Sequence, residues 1–159
     1  MANDRYLIKA DEIAQLEGTA KEHFLNPNAQ CVNKSLGDLT GLTGFGFHIM
    51  ELAPGRDSTE PHFHYREDEC LYVLSGEGIA TVGEDSFKVS AGDFLGYRKG
   101  GLPHSLTNTG PDTMRCIVVG GREDTDIVDY PNRGKRMFRT KGLDWNVVDQ
   151  ADIKDRKPM

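Results

Sequence analysis

The stretch that decides the fold is Cys70-Leu71-Tyr72-Val73-Leu74-Ser75, an apolar run rich in strand formers and closed by Gly76-Glu77-Gly78. A run this short, bounded by glycine, reads as a strand and not as a helix. Downstream, Ile79–Val82 is the next strand, and Gly83-Glu84-Asp85 is a hairpin turn into Phe87-Lys88-Val89. Ala91-Gly92-Asp93 turns again into Phe94–Tyr97, and Gly100-Gly101 with Pro103 breaks the chain before His104–Asn108. Met114–Val119 reads as a buried strand ended by Gly120-Gly121. Upstream, Gly44–Leu52 reads as a strand that Pro54-Gly55 breaks. Short strands at this spacing predict an all-β sandwich or small barrel.

Outside the barrel the pattern changes. Residues 1–28 read as an N-terminal arm with one short helix over Asp11–Leu16, ended by Gly18. Residues 122–159 are charged, with Tyr130-Pro131, Met137-Phe138 and Trp145 as isolated anchors. They read as a C-terminal tail packing on the barrel or on a partner subunit. Phe24, Leu25, Met137, Phe138 and Trp145 lack a core of their own, so a homodimer is expected.

The 159 residues suffice for one domain, and their 37% hydrophobic content supports a real core. The net charge of −6 argues against binding a phosphate backbone, and Arg133-Gly134-Lys135-Arg136 reads as a solvated face. Cys31, Cys70 and Cys116 are too few and too scattered for a disulfide framework. Met1-Ala2-Asn3-Asp4-Arg5 leads into a polar segment, and no apolar run approaches membrane-spanning length. A cytoplasmic location, with no membrane and no nucleic acid partner, is the expectation.

The chemistry concentrates in Pro61-His62-Phe63-His64, Glu69 and His104. Residues two apart on a strand share a face, so His62 and His64 project together. Tyr65–Asp68 can turn the chain so that Glu69 opens the next strand beside them. His104, after Pro103, opens another. Three imidazoles and a carboxylate suit one divalent transition metal (Mn, Fe, Ni, Cu or Zn) better than Ca or Mg. An octahedral ion so held keeps two positions for substrate.

Other residues are weaker candidates. His48 reads as a core histidine, His23 as surface, and Glu67 and Asp68 as solvated loop carboxylates. Cys70 points away from the face that Glu69 uses. Arg98 and Lys99, just before the glycine turn into His104, are the candidate substrate-binding cations for an anionic ligand. No P-loop, H-E-x-x-H or G-x-S-x-G occurs.

Gly55…His62-x-His64-x4-Glu69-x6-Gly76 resembles the first motif of the cupin superfamily, and Gly92-Asp93…Gly101-x2-His104-x3-Asn108 resembles the second. Two departures fall in turns: the Gly55–His62 spacer is one residue longer than usual, and Arg98 stands where proline is common. The resemblance covers residues 29–121. It implies a double-stranded β-helix (jelly-roll) barrel with His62, His64, Glu69 and His104 as metal ligands. Val128-Asp129-Tyr130-Pro131…Gly134-Lys135-Arg136 is similar to a group of single-domain bacterial cupins, some of them named sugar-phosphate isomerases. The resemblance therefore implies a metal-dependent enzyme on a small oxygenated metabolite, leaning to isomerase chemistry. An Fe-dependent dioxygenase and a non-catalytic binder of small molecules are the alternatives, since fold does not select among them.

Overall fold

Turn chemistry and strand pairing can be followed residue by residue in a computed structural model that describes residues 5–154. Residues 1–4, part of the segment read for a leader, lie outside it. The expected central strands form: β3 (Phe45–Leu52), β5 (Glu69–Ser75), β6 (Glu77–Val82), β7 (Asp85–Ser90), β8 (Phe94–Tyr97), β9 (His104–Asn108) and β10 (Met114–Gly121). Gly120-Gly121 does not end β10; these residues pair with Gly46 and Phe45 of β3. Two glycines are required where strands cross closely. Gly76 has φ +89°, and a Cβ there would lie 2.8 Å from the Met114 Cα. A Cβ on Gly78 would lie 2.4 Å from the Thr107 carbonyl oxygen.

The flanking segments are more ordered than their sequence suggests. The residue-28 boundary falls inside a strand: β1 (Thr19–His23) and β2 (Asn26–Lys34) form an antiparallel pair joined to β3. The predicted helix is α1 (Ala10–Gln15), and a second short helix, α2 (Leu36–Leu39), precedes β3. Downstream, β11 (Thr125–Tyr130), β12 (Lys135–Thr140) and β13 (Asn146–Asp149) form a sheet with the two-residue β4 (Phe63–His64). These outer strands are polar, so alternation does not announce them; backbone pairing to an existing edge orders them.

The result is a jelly-roll barrel. A six-stranded sheet ordered β1-β2-β3-β10-β5-β8 accompanies a three-stranded sheet β7-β6-β9 and the four-stranded sheet β13-β12-β11-β4. Alternation along β10 and β5 buries Met114, Cys116, Leu71 and Val73 and leaves Tyr72 and Leu74 outside. Leu52, Ala80 and Leu106 join them in the main core. Burying a leucine this fully contributes about 1.5–3 kcal/mol. A smaller cluster of Val128, Tyr130 and Met137, with Leu25 against it, ties the last sheet to the N-terminal pair. Asn108, fully buried, donates to the Leu52 and Asp112 carbonyls (2.7 and 2.9 Å) and accepts from the Gly110 amide, closing a strand end.

Candidate metal centre

His62 sits just before β4 and is pinned to the start of β9 by a reciprocal backbone pair. Its amide donates to the His104 carbonyl (3.3 Å), and the His104 amide returns the bond (2.9 Å). Period-two geometry then puts His62 and His64 on one face, with their Nε2 atoms 3.2 Å apart. The Glu69 carboxylate opens β5 between the rings. One oxygen lies 3.9 Å from His64 Nε2 and the other 3.9 Å from His104 Nε2. His62, Glu69 and His104 form one group whose ligand atoms all lie within 4.8 Å of one another; His64, the fourth predicted ligand, adjoins His62 and Glu69 and also belongs to a second group with Glu67 and Asp126.

The orientation of the three rings follows from their other nitrogens. His62 Nδ1 faces the Glu60 carbonyl at 3.0 Å, and His104 Nδ1 faces the Leu102 carbonyl at 3.2 Å. His64 Nδ1 lies 2.6 Å from Asp126 Oδ2. Carbonyl and carboxylate oxygens only accept, so each Nδ1 carries a proton, and in a neutral ring Nε2 is then the lone-pair donor. His104 Nε2 is buried and meets no hydrogen-bond partner. Donors about 2.1 Å from a common ion stand about 3.0 Å apart when adjacent and about 4.2 Å when opposite. The His62–His64, His64–Glu69 and His104–Glu69 separations of 3.2, 3.9 and 3.9 Å fall between those limits.

Burial holds two of the three imidazoles, His62 and His104, in the neutral form. Burial, then the neighbouring His64 and His104, pushes His62 down to about 3. Burial likewise takes His104 down to about 4. Burial raises the Glu69 carboxyl, against the opposing pull of His64. For His64 burial works downward, but the Asp126 bond and the Glu69 and Glu67 charges outweigh it and raise its pKa. Tyr97 stacks on His104 at 3.7 Å and 5°, which fixes the ring plane.

A second cluster stands behind His64. Asp126, fully buried on β11, accepts the Arg66 amide (3.0 Å) with its other oxygen. Glu67 accepts the Glu123 amide at 2.6 Å and pairs with Arg139 of β12. Glu67 is therefore not the solvated carboxylate its loop position suggests; only 5% of it is exposed, because Arg139 and a backbone amide compensate its charge. Asp68 is exposed and accepts the Lys99 amide (2.8 Å). Asp126 and Arg139 carry no local motif, and only the strand pairing brings them here.

His62, Glu69 and His104 open into a cavity of about 410 Å³ that runs between the sheets and is also lined by Leu71, Val118 and Tyr130. His48, expected in the core, is half-buried on its wall. His23, expected at the surface, is also half-buried there, stacked on Phe24 and edge-on to Tyr130. Arg98 and Lys99 are exposed and do not line this cavity. Cys70 lies on the opposite face from Glu69, next to Gly96 and Val119.

A cupin-domain family profile matches residues 48–120. The chain is 34% identical over 73 residues to an oxalate-binding protein of Thermotoga maritima, covering 46% of this chain and 59% of that protein. It is 29% identical over 82 residues to an uncharacterised protein of Methanocaldococcus jannaschii, covering 49% and 65%. The chain thus matches less than two thirds of either curated relative's length. Among solved structures, a "putative sugar phosphate isomerase" of Acidithiobacillus ferrooxidans superposes with a TM-score of 0.92 at 47% identity. That alignment covers 96% of this chain and 97% of the other. Likeness of that extent, added to the barrel and its converging imidazoles, means that the chain belongs to the cupin superfamily.

Proposed function

We propose that this cupin is a metal-dependent enzyme acting on a small oxygenated metabolite, and that its chemistry is isomerisation of a sugar-phosphate-like substrate. The observation that carries this reading is the set of three imidazoles, each with Nδ1 tied to an oxygen acceptor, with the His64 and His104 Nε2 atoms beside Glu69 and the His62 Nε2 beside His64. The name of the 47%-identical relative supports the reaction class. A divalent ion of the Mn, Fe, Ni or Zn type on His62, His64, Glu69 and His104 would supply Lewis-acid polarisation of substrate oxygens. Leu71, Val118 and Leu106 keep the cavity wall apolar and exclude water around the reacting carbons. The Tyr130 hydroxyl, pushed up to about 12 by burial, stays protonated and donates to a substrate oxygen. His23 accepts the Leu25 amide on Nδ1 (3.2 Å), so its Nε2–H is a second donor that orients substrate.

The test has two parts. Protein made without a chelating tag should hold one divalent transition metal per chain. A panel of sugar phosphates in D₂O should include one that takes up deuterium at the carbon next to its carbonyl. Metal content with no exchange on any member would move the reading to a non-catalytic binder, which the likeness to the oxalate-binding protein favours. We place the activity in the cytoplasm and in a homodimer. Phe24 and Trp145 remain 58% and 62% exposed, which supports burial against a second copy.

A further inference from the structure

The cavity has a second polar end that the metal centre does not use. Six-strand register puts Glu69 of β5 level with Gly120 of β10 and Gly46 of β3. His48 is one same-face step along β3 from Gly46. Two strand spacings and one step separate His48 from Glu69 by about 12 Å between Cα atoms. Beyond His48 on the same face come Asn33 of β2, paired with Met50, and Lys21 of β1, paired with Cys31. All three residues line the cavity.

Among the described residues, Lys21 is the only lysine or arginine on that wall. Lys21 is exposed and, like Lys88 and Lys99, makes no ion pair among the described residues, but it alone of these borders this cavity. The nearby Arg122 is already paired with Asp38 at 2.6 Å. Glu22, next to Lys21, is held by Gln30 at 2.9 Å. Asn33 is contacted on Oδ1 by Cys31 Sγ at 3.7 Å, which leaves its amide N–H groups for a ligand. The buried Nδ1 of His48 has no partner, so no internal bond dictates which ring nitrogen donates. Burial, then the positive charges of Lys21 and Arg122, holds that imidazole below its ordinary pKa, with Asp38 opposing.

We infer that Lys21, Asn33 and His48 form the subsite for the phosphate group of the substrate, across the cavity from the metal ligands. The inference rests on the isomerase reading for its occupant, a phosphate monoester, but not for the site. A point charge, an amide and an imidazole from three neighbouring strands are the donors a phosphate dianion takes. The span from His48 to Glu69, shortened by the side chains at both ends, suits a small phosphorylated sugar, while Lys21, two strands further out, would reach the phosphate from the far end of the cavity; the cavity volume lies in the small-molecule range. Anion capture then belongs to the β1–β3 end of the cavity, where Lys21 is exposed, in place of Arg98 and Lys99, which border other pockets beside Glu69.

Inorganic phosphate is the probe, titrated by calorimetry into chelator-treated and manganese-loaded full-length protein. The wild type should bind phosphate at one saturable site in both forms. Lys21→Gln should weaken it at least about tenfold, as expected for losing a charge-assisted partner. His48→Gln should weaken it several-fold, and both variants should take up manganese at wild-type stoichiometry. Phosphate binding that survives Lys21→Gln unchanged, that falls in Arg98→Ala instead, or that is absent in the wild type overturns the subsite. A wild type that binds phosphate through Lys21 but takes up no manganese leaves the subsite standing and sinks the metal reading.

Discussion

The His64 ring has two sides that use the same kinds of residue for opposite ends. On its Nε2 side stand His62, Glu69 and His104, with a buried imidazole nitrogen that meets no partner. On its Nδ1 side stand Asp126, Glu67 and Arg139, where every carboxylate has an amide, a ring N–H or a guanidinium against it. Buried polar groups are ordinarily satisfied within the protein. A cluster that satisfies itself is scaffold, and one that turns lone pairs on a shared point is prepared for something from outside.

The largest effect that would break this contrast is on metal uptake. Joint His62→Ala and His104→Ala should abolish stoichiometric metal binding, read by elemental analysis, while circular dichroism still reports a folded barrel. Stoichiometric metal in that variant would make the two sides equivalent. Next comes Asp126→Asn, which leaves all four ligands but loosens the orientation of one. Metal affinity should fall about 10–100-fold, measured by competition with a chelator of known affinity. An unchanged affinity would show that His64 does not depend on its rear partner.

The rear cluster should answer in stability. Arg139→Met leaves the Glu67 carboxylate buried beside Asp126 and should cost about 1–3 kcal/mol in urea unfolding, with metal stoichiometry retained. The neighbouring pair responds to acid. Burial works to raise the Asp129 carboxyl, but the Arg136 bonds (2.6 and 2.8 Å) and the Tyr65 hydroxyl (2.9 Å) outweigh it and hold it below the usual range. A depressed folded value contributes stability above the unfolded pKa of about 3.9, and this is lost as pH falls through the folded value. Between pH 5 and pH 3 the wild type should lose more stability than Asp129→Asn does. Parallel decline in the two would refute the assignment. Arg98→Ala, on neither side of the ring, should change stability by less than about 0.5 kcal/mol.

What could be read in the sequence follows the range of the interactions. The central strands announce themselves because Leu71, Val73, Cys116 and Val118 alternate with outward residues, and glycines mark their ends. The candidate quartet is legible because His62-x-His64 is a two-residue period and Glu69 and His104 open strands. Asp126, Arg139 and the burial of Glu67 are not legible, because a lone carboxylate or guanidinium has no spacing to read. Their meaning arises only when β11 pairs with β4, which sets Val128 opposite His64. Thr19–His23 carries almost no apolar residue, so β1 and the Lys21 side chain on it become visible only through pairing with β2.

The bond between His64 and Asp126 closes 62 residues of chain. Contacts of that range form late, since loop closure must come before they stabilise anything. During synthesis at about 5–20 residues per second, residue 126 follows residue 64 by roughly 3–12 s. Early in that interval the nascent chain carries His62 and His64 with neither the His104 backbone that pins one ring nor the carboxylate that orients the other, and it lacks the carboxylate to the end. An ion met at that stage would find two loose imidazoles and could leave again. Under the proposed metal reading, retention would begin only when the second half of the barrel arrives, and the order of translation itself would delay commitment to a metal until the whole coordination shell could choose it.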